Sequence, residues 1–525
     1  MGFPTLSRRR LSKAFGERNG SRLWPLAVLA VAVPALALTG VLPRWPGLVH
    51  FVALPPADLF TDLRVLLARA RSVPEFTAVL ALVLTVRVAV LGVLLGGLTW
   101  RRVRFAALFY GITGLPLLLA AQMGFMSQTL LYSRLFWAAA GLLALVWFIS
   151  APVPWQGSAR LRTSAGRAWR RGLRVEVVVP YAIVLILLSA LADLRPGLTL
   201  FLVPVSALAT GITILLLARP PSGRPLLRLS AAAVAFVVIA TVFTATRGGA
   251  GKGPDAAGRS GSILLMSGIN SASGRGAIFE TETGRLGYSC ERTFYFSYAG
   301  VGDGQPCGVA ACPIRTGAPY VPRDTQRPMA EQVEIFSEQV RELPRPLVVA
   351  GHSHAVWVAW QAVAQGRAPE VDVLLLVGPF PESPVGYQPA DRDGQGKVGS
   401  DLLRLLAPLA DLVDFHFDPD APAALELLGT PGTASSILAE PLPERVRSFS
   451  ATSATDLPLM PGGWRLPVER NACPLRVPHP YLPIRPGFYN EVNRFLDGRP
   501  GLPCPAWRDW GAPLARPFGI PSHDD

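Results

Sequence analysis

The sequence predicts a multi-domain chain: an N-terminal α-helical membrane bundle of about seven helices, followed by an α/β domain built on a mostly parallel sheet. Three observations carry that expectation. Mean hydropathy is +0.34 over 525 residues, with 50% hydrophobic and 16% charged residues, far too apolar for a disordered chain. Charge divides the chain: residues 1–253 hold 27 Lys+Arg against 6 Asp+Glu (net +21), and the remainder holds 23 against 30 (net −7). Finally, long apolar runs give way near residue 260 to short apolar strands alternating with helical patterns. The expected divisions are a cytoplasmic basic tail (1–23), a transmembrane domain (24–246), a Gly-rich linker (247–261), the α/β domain (262–500) and a C-terminal tail (501–525).

Seven apolar runs, near 24–43, 76–99, 105–124, 132–153, 175–194, 198–218 and 226–246, approach the roughly 20 helical residues that cross a ~30 Å hydrocarbon core. Only helices satisfy their own backbone in lipid in this arrangement. Orientation follows loop charge. The N-terminal tail and the loops after the second, fourth and sixth runs hold 18 Lys/Arg, and the opposite loops hold 6. This predicts a cytoplasmic N-terminus and an α/β domain outside the cytoplasmic membrane. If the first run were a cleaved signal peptide, six helices would remain with the same outer C-terminus. The basic charge lies in these loops rather than on a soluble stripe, which argues against nucleic acid as a partner and leaves the lipid bilayer.

Arg87 falls inside the second run. An intramembrane Arg is a functional-site candidate by default, and its structural alternative is pairing with a carbonyl, Asp193 or Glu176. Gly92 and Gly96 form a GxxxG packing face.

In the second half, strands are expected at Ile263–Met266, Thr293–Tyr298, Pro346–Ala350, Val371–Val377 and Val446–Ala451, with helices at Met329–Leu343, Val356–Ala364 and Gly487–Leu496. A long insertion, about 379–443, contains two further helical patterns, Ser400–Val413 and Ala421–Leu428. All five cysteines lie in this half, where an oxidising compartment permits disulfides. Proximity in sequence favours Cys307 with Cys312 and Cys473 with Cys504, leaving one over.

The segment PLVVAGHSHAVWVAWQA runs from an apolar strand through Gly351-His352-Ser353-His354-Ala355 into a helix. A serine at so sharp a turn needs small residues two before and two after it, here Gly351 and Ala355. A hydroxyl also needs a base, and the base an orienting carboxylate. Of six histidines, His50 and His523 lie in an outer loop and the tail, and His352 and His354 flank the serine as packing residues. His479, before the last helix, is preferred to His416 in the insertion. Asp456, after the strand VRSFSATSATD, is the expected acid, with Asp414 a fallback. Two backbone N–H groups are expected as the oxyanion hole, those of His354 and of Ile269 in ILLMSGINSASG.

At these residues the second half resembles an α/β-hydrolase-fold serine esterase or lipase over roughly 260–500, with FSYAG similar to that family's strand-and-turn before its first helices. The resemblance implies a Ser353–Asp456–His479 triad forming an acyl-enzyme and a lid-like role for the insertion; tethering near the bilayer suits an apolar or envelope-derived ester as substrate. Ser267, where many members carry His, and Ala355, in place of the elbow's last Gly, depart from the pattern. Acyl transfer by the same triad, or a transporter or sensor carrying an inactive hydrolase-like domain, are the alternatives. No cofactor or metal is expected: there is no Walker loop or dinucleotide fingerprint, and His416, Asp418 and Asp420 read as a polar loop.

Overall fold

The computed structural model describes residues 22–156, 160–219, 258–381, 387–410, 418, 420–429, 432–460, 463–505, 509 and 511–521. The chain forms two compact units. One comprises residues up to Phe125, Leu135–Ile239 and Pro513–Asp525; the other comprises Met126–Arg134 and Ala240–Ala512.

The first unit is helical: α1 (Trp24–Leu38), α2 (Ala57–Arg69), α3 (Val73–Leu94), α4 (Trp100–Thr129), α5 (Ser133–Ser150), α6 (Leu161–Arg171), α7 (Val175–Leu194) and α8 (Thr199–Ala218). Among the described residues, five helical segments are long and apolar enough to cross a membrane, at Val73–Leu94, Trp100–Thr129, Ser133–Gln156, Val175–Leu194 and Pro196–Ala218. The first apolar run instead gives a helix of only 15 residues, about 22 Å at 1.5 Å per residue and short of the hydrocarbon thickness. The run expected at 226–246 lies outside the described residues, as do linker positions 247–257.

Local chemistry sets the helix ends. Before α3, the Ser72 hydroxyl accepts from the Glu75 backbone N–H, Pro74 occupies the first turn, and the Glu75 carboxylate accepts from the Arg71 N–H. Gly96 and Gly97, at φ +115° and +125°, follow its C-terminus, a conformation with little cost for residues lacking Cβ. Between α1 and α3, where the sequence reads as an outer loop, α2 is buried on every face from Asp58 to Ala68. It carries two aspartates and an arginine into that interior.

Among the described residues, the second unit holds a six-stranded, all-parallel sheet: β1 (Ser262–Met266), β2 (Thr293–Tyr295), β3 (Leu347–His352), β4 (Val371–Val377), β5 (Arg447–Ala451) and β6 (Arg470–Asn471), in spatial order β2-β1-β3-β4-β5-β6. β1 and β3 are buried at every position, as continuous apolar strands must be when both faces of a parallel sheet are covered. Helices α9 (Met329–Val340), α10 (Ala355–Ala364) and α14 (Pro486–Leu496) surround it, and the insertion supplies α11 (Lys397–Ala410), α12 (Pro422–Leu428) and α13 (Thr433–Ala439). The two-residue strand β6 is too short to carry an alternation signal in sequence.

Two disulfides join Cys290 to Cys312 and Cys473 to Cys504, and Cys307 is free and exposed. The expected Cys307–Cys312 pairing is therefore corrected. A turn at Cys290–Arg292, leading into β2, sets the Cys290 Cα 5.2 Å from that of Cys312, within the span a disulfide bridges.

Candidate active site

The residues singled out in the second half gather at the C-terminal ends of neighbouring strands, where open α/β sheets place their sites. Ser353 follows β3, Gly378 follows β4, Asp456 lies five residues past β5, and Gly268 follows β1. The ladder continues past the strand ends: the Ser353 N–H donates to Val377 O at 2.8 Å and the Gly378 N–H to Ala451 O at 2.7 Å. The acid-bearing and histidine-bearing loops are joined in the same way. Leu475 N–H donates to Thr452 O and Ala454 N–H to Leu475 O, both at 2.8 Å, and the Ser453 hydroxyl donates to Val477 O. That pairing brings residues 456 and 479 together.

Ser353 sits at φ +57°, a left-handed conformation that non-glycine residues adopt only under local constraint. The constraint is the turn from β3 into α10. A Cβ on Gly351 would stand 3.0 Å from Ala355 O, so position 351 has almost no room for a side chain. On Gly268 it would stand 2.9 Å from the Ser353 Cβ and 3.1 Å from His352 O. The β1 loop thus runs directly against the serine, and only glycine permits that approach. Ile269, the next residue, lines the pocket beside Ser353. Among the described residues, the hydrogen bonds use neither the Ile269 nor the His354 backbone N–H.

His479 Nδ1 lies 2.7 Å from Asp456 Oδ2. Asp456 is fully buried, and the Thr455 hydroxyl donates to its other oxygen at 3.3 Å. Three groups fix the imidazole plane. The Phe380 ring lies 5.1 Å away and the His352 ring 5.0 Å away, and a Cβ on Gly378 (φ +64°) would come within 2.7 Å of the imidazole Cε1. No hydrogen bond joins Ser353 Oγ to His479 among the described residues.

The two histidines flanking the serine do more than local packing. His352 places Nε2 3.3 Å from His479 O, directly against the candidate base. Burial, and then the nearby His479, push its pKa down to about 3. His354 is 2% exposed and lines the pocket, with neither ring nitrogen hydrogen-bonded. Burial pushes its pKa down to about 4, so it stays neutral and keeps one donor and one acceptor. Sequence offers no sign of either role, because both depend on which loop crosses the strand ends.

The pocket at Ser353 is partly open to its surroundings and measures about 50 Å³. Ile269, His354, Trp357 and Phe380 line it from the sheet side, Ala423, Ala424, Leu427 and Leu428 come from α12 and its end, and Leu130 and Leu131 come from the turn after α4. His416 and Asp414 lie outside the described residues. Asp420 is held by Arg404 at 2.8 Å. Among the described residues no group of three or more His, Cys, Asp or Glu side chains is placed to hold a metal ion.

Arg87 lies apart from this site, in the helical unit. Its Nε and Nη2 donate to the two Asp62 oxygens at 2.7 and 2.8 Å, and its Nη1 donates to Phe51 O at 2.9 Å. Asp58, 3.5 Å from Arg87, also accepts from the Tyr110 hydroxyl at 2.7 Å. The carbonyl partner was expected; the acids Asp193 and Glu176 are not the ones used. Asp193 pairs with Arg516 and Glu176 with Arg174, because α2 folds inward and delivers nearer carboxylates.

Scans against protein-family models, curated proteins and solved structures return no match for this chain.

Proposed function

We propose that the chain is a membrane-anchored serine hydrolase of the α/β-hydrolase type, cleaving carboxylic esters through an acyl-enzyme on Ser353. The observation that carries this reading is the convergence at adjacent strand ends of a serine held at φ +57° and a 2.7 Å Asp456–His479 pair, beside an apolar pocket. A histidine oriented through Nδ1 by a buried carboxylate presents Nε2 as a base, the arrangement an alcohol nucleophile requires.

In the proposed cycle, Ser353 Oγ turns to His479 Nε2 as substrate binds; such contacts tighten in the reactive complex. Oγ attacks the ester carbonyl and passes its proton to Nε2, while Asp456 stabilises the imidazolium. The Ile269 and His354 N–H groups hold the oxyanion. The imidazolium then protonates the leaving alcohol, and water attacks the acyl-serine by the reverse proton path.

Loop charge supports a cytoplasmic N-terminus and an extracytoplasmic catalytic unit, and two disulfides support an oxidising compartment for that unit. The test is covalent labelling of the full chain by a small-alkyl fluorophosphonate. We expect one adduct on Ser353, lost in Ser353→Ala. A folded protein that stays unlabelled contradicts the reading.

A further inference from the structure

We infer that the turn between α4 and α5, carried by Leu130 and Leu131, is a wall of the acyl pocket that restricts the site to esters of short acyl chains. This rests on the serine-hydrolase reading of Ser353.

Four observations place the turn there. Met126–Arg134 belongs to the compact unit that holds the sheet and the candidate triad, although more than a hundred residues separate it in sequence from the first strand. Leu130 and Leu131 line the same pocket as Ser353. The Ser133 hydroxyl lies 3.4 Å from the Thr455 hydroxyl, which itself donates to Asp456. Finally, the Arg134 guanidinium stacks over the Tyr481 ring at 5.6 Å, two residues from His479.

Leu131 is also held at φ +52° while only 7% exposed. A leucine in the left-handed region costs roughly 1–2 kcal/mol. Glycine would avoid that cost, yet the chain keeps a large apolar side chain aimed into the pocket. Leu427 and Leu428 of the insertion line the same pocket. The space beside Ser353 is small, about 50 Å³, room for a few water-sized groups at ~10–15 Å³ each, so the bulk of Leu130 and Leu131 limits how much acyl chain fits against the serine.

The experiment measures kcat/KM of the full-length protein for p-nitrophenyl esters of two to ten carbons. Labelling of Ser353 by a small-alkyl fluorophosphonate is followed in parallel. The wild type should prefer acetate and butyrate over octanoate by at least tenfold. Leu131→Gly removes the side chain and fits the positive φ; it should raise the octanoate-to-butyrate ratio at least tenfold. Leu130→Phe fills the space and should raise the acetate-to-butyrate ratio. Leu405→Ala, at an exposed position on α11, should change neither. If both pocket variants label like wild type but their ratios stay within twofold of it, the inference is overturned while the catalytic reading stands. If the wild type itself does not label, the catalytic reading falls and takes the inference with it.

Discussion

The two units each bury a carboxylate against a nitrogen base, and they treat it in opposite ways. In the helical unit, Asp62 gives both oxygens to Arg87, and Asp58 is engaged by Arg87, Tyr110 and the Leu59 N–H. That cluster spends its polar groups on one another. In the sheet unit, Asp456 fixes one nitrogen of His479 and leaves the rest of the site open. Neither ring nitrogen of His354 is hydrogen-bonded, and Ser353 borders an apolar pocket. A saturated buried network adds cohesion and specificity, whereas buried polar groups left unpaired are where a ligand's polar groups are expected. The contrast reads Arg87 as structural and, under the proposed function, Ser353 as the reacting group.

Three substitutions or conditions probe this difference, in descending size of effect. Asp456→Asn should lower ester turnover by about 10³–10⁴, because the imidazole loses its orienting acceptor, while the thermal midpoint in detergent shifts little. Undiminished turnover would move the acid elsewhere. Asp62→Asn should do the reverse. It strands a buried guanidinium and should cost about 3–5 kcal/mol of stability, with turnover per folded molecule within about twofold of wild type. Replacing both partners, Arg87→Met with Asp62→Leu, should recover most of that loss. If Asp62→Asn instead abolishes turnover in a folded protein, the helical cluster belongs to the mechanism.

The third is a pH dependence. In the unfolded chain His352 and His354 take up protons near their ordinary 6.5, but in the folded unit only near 3 and 4. Between those limits the unfolded state binds more protons. Stability should therefore be flat above about pH 6.5 and fall as the pH drops toward 4, with these two groups contributing up to ~2.7 kcal/mol per pH unit. His354→Leu should remove about half of that contribution, read from thermal midpoints between pH 7 and 4.5. An unchanged slope would mean that His354 is not held neutral.

How much of this was legible in the sequence depended on whether a signal was local. The runs that became β1, β3 and β4 are short, continuous and apolar, and the Gly351–Ala355 turn between strand and helix follows from sterics within a few residues. Asp456 and His479 were nameable by their place after a strand and before the last helix, although their 2.7 Å contact is a product of two loops pairing. The features that were not legible are long-range. The Asp58 and Asp62 spacing on α2 suggests an exposed loop until Arg87 is known to reach it. Cys290 looks remote from Cys312 until a turn folds it back. Nothing in the turn around Leu131 announces that it borders a serine more than two hundred residues later.

The decisive measurement is fluorophosphonate labelling of the full-length protein beside Ser353→Ala and His479→Ala, with the modified residue located by peptide mass spectrometry. An activated serine predicts a single adduct on Ser353, none in Ser353→Ala, and labelling slowed by at least about 10³ in His479→Ala. A folded wild-type chain without an adduct, or an adduct formed equally fast without His479, would contradict the assignment of Ser353, Asp456 and His479 as a catalytic unit.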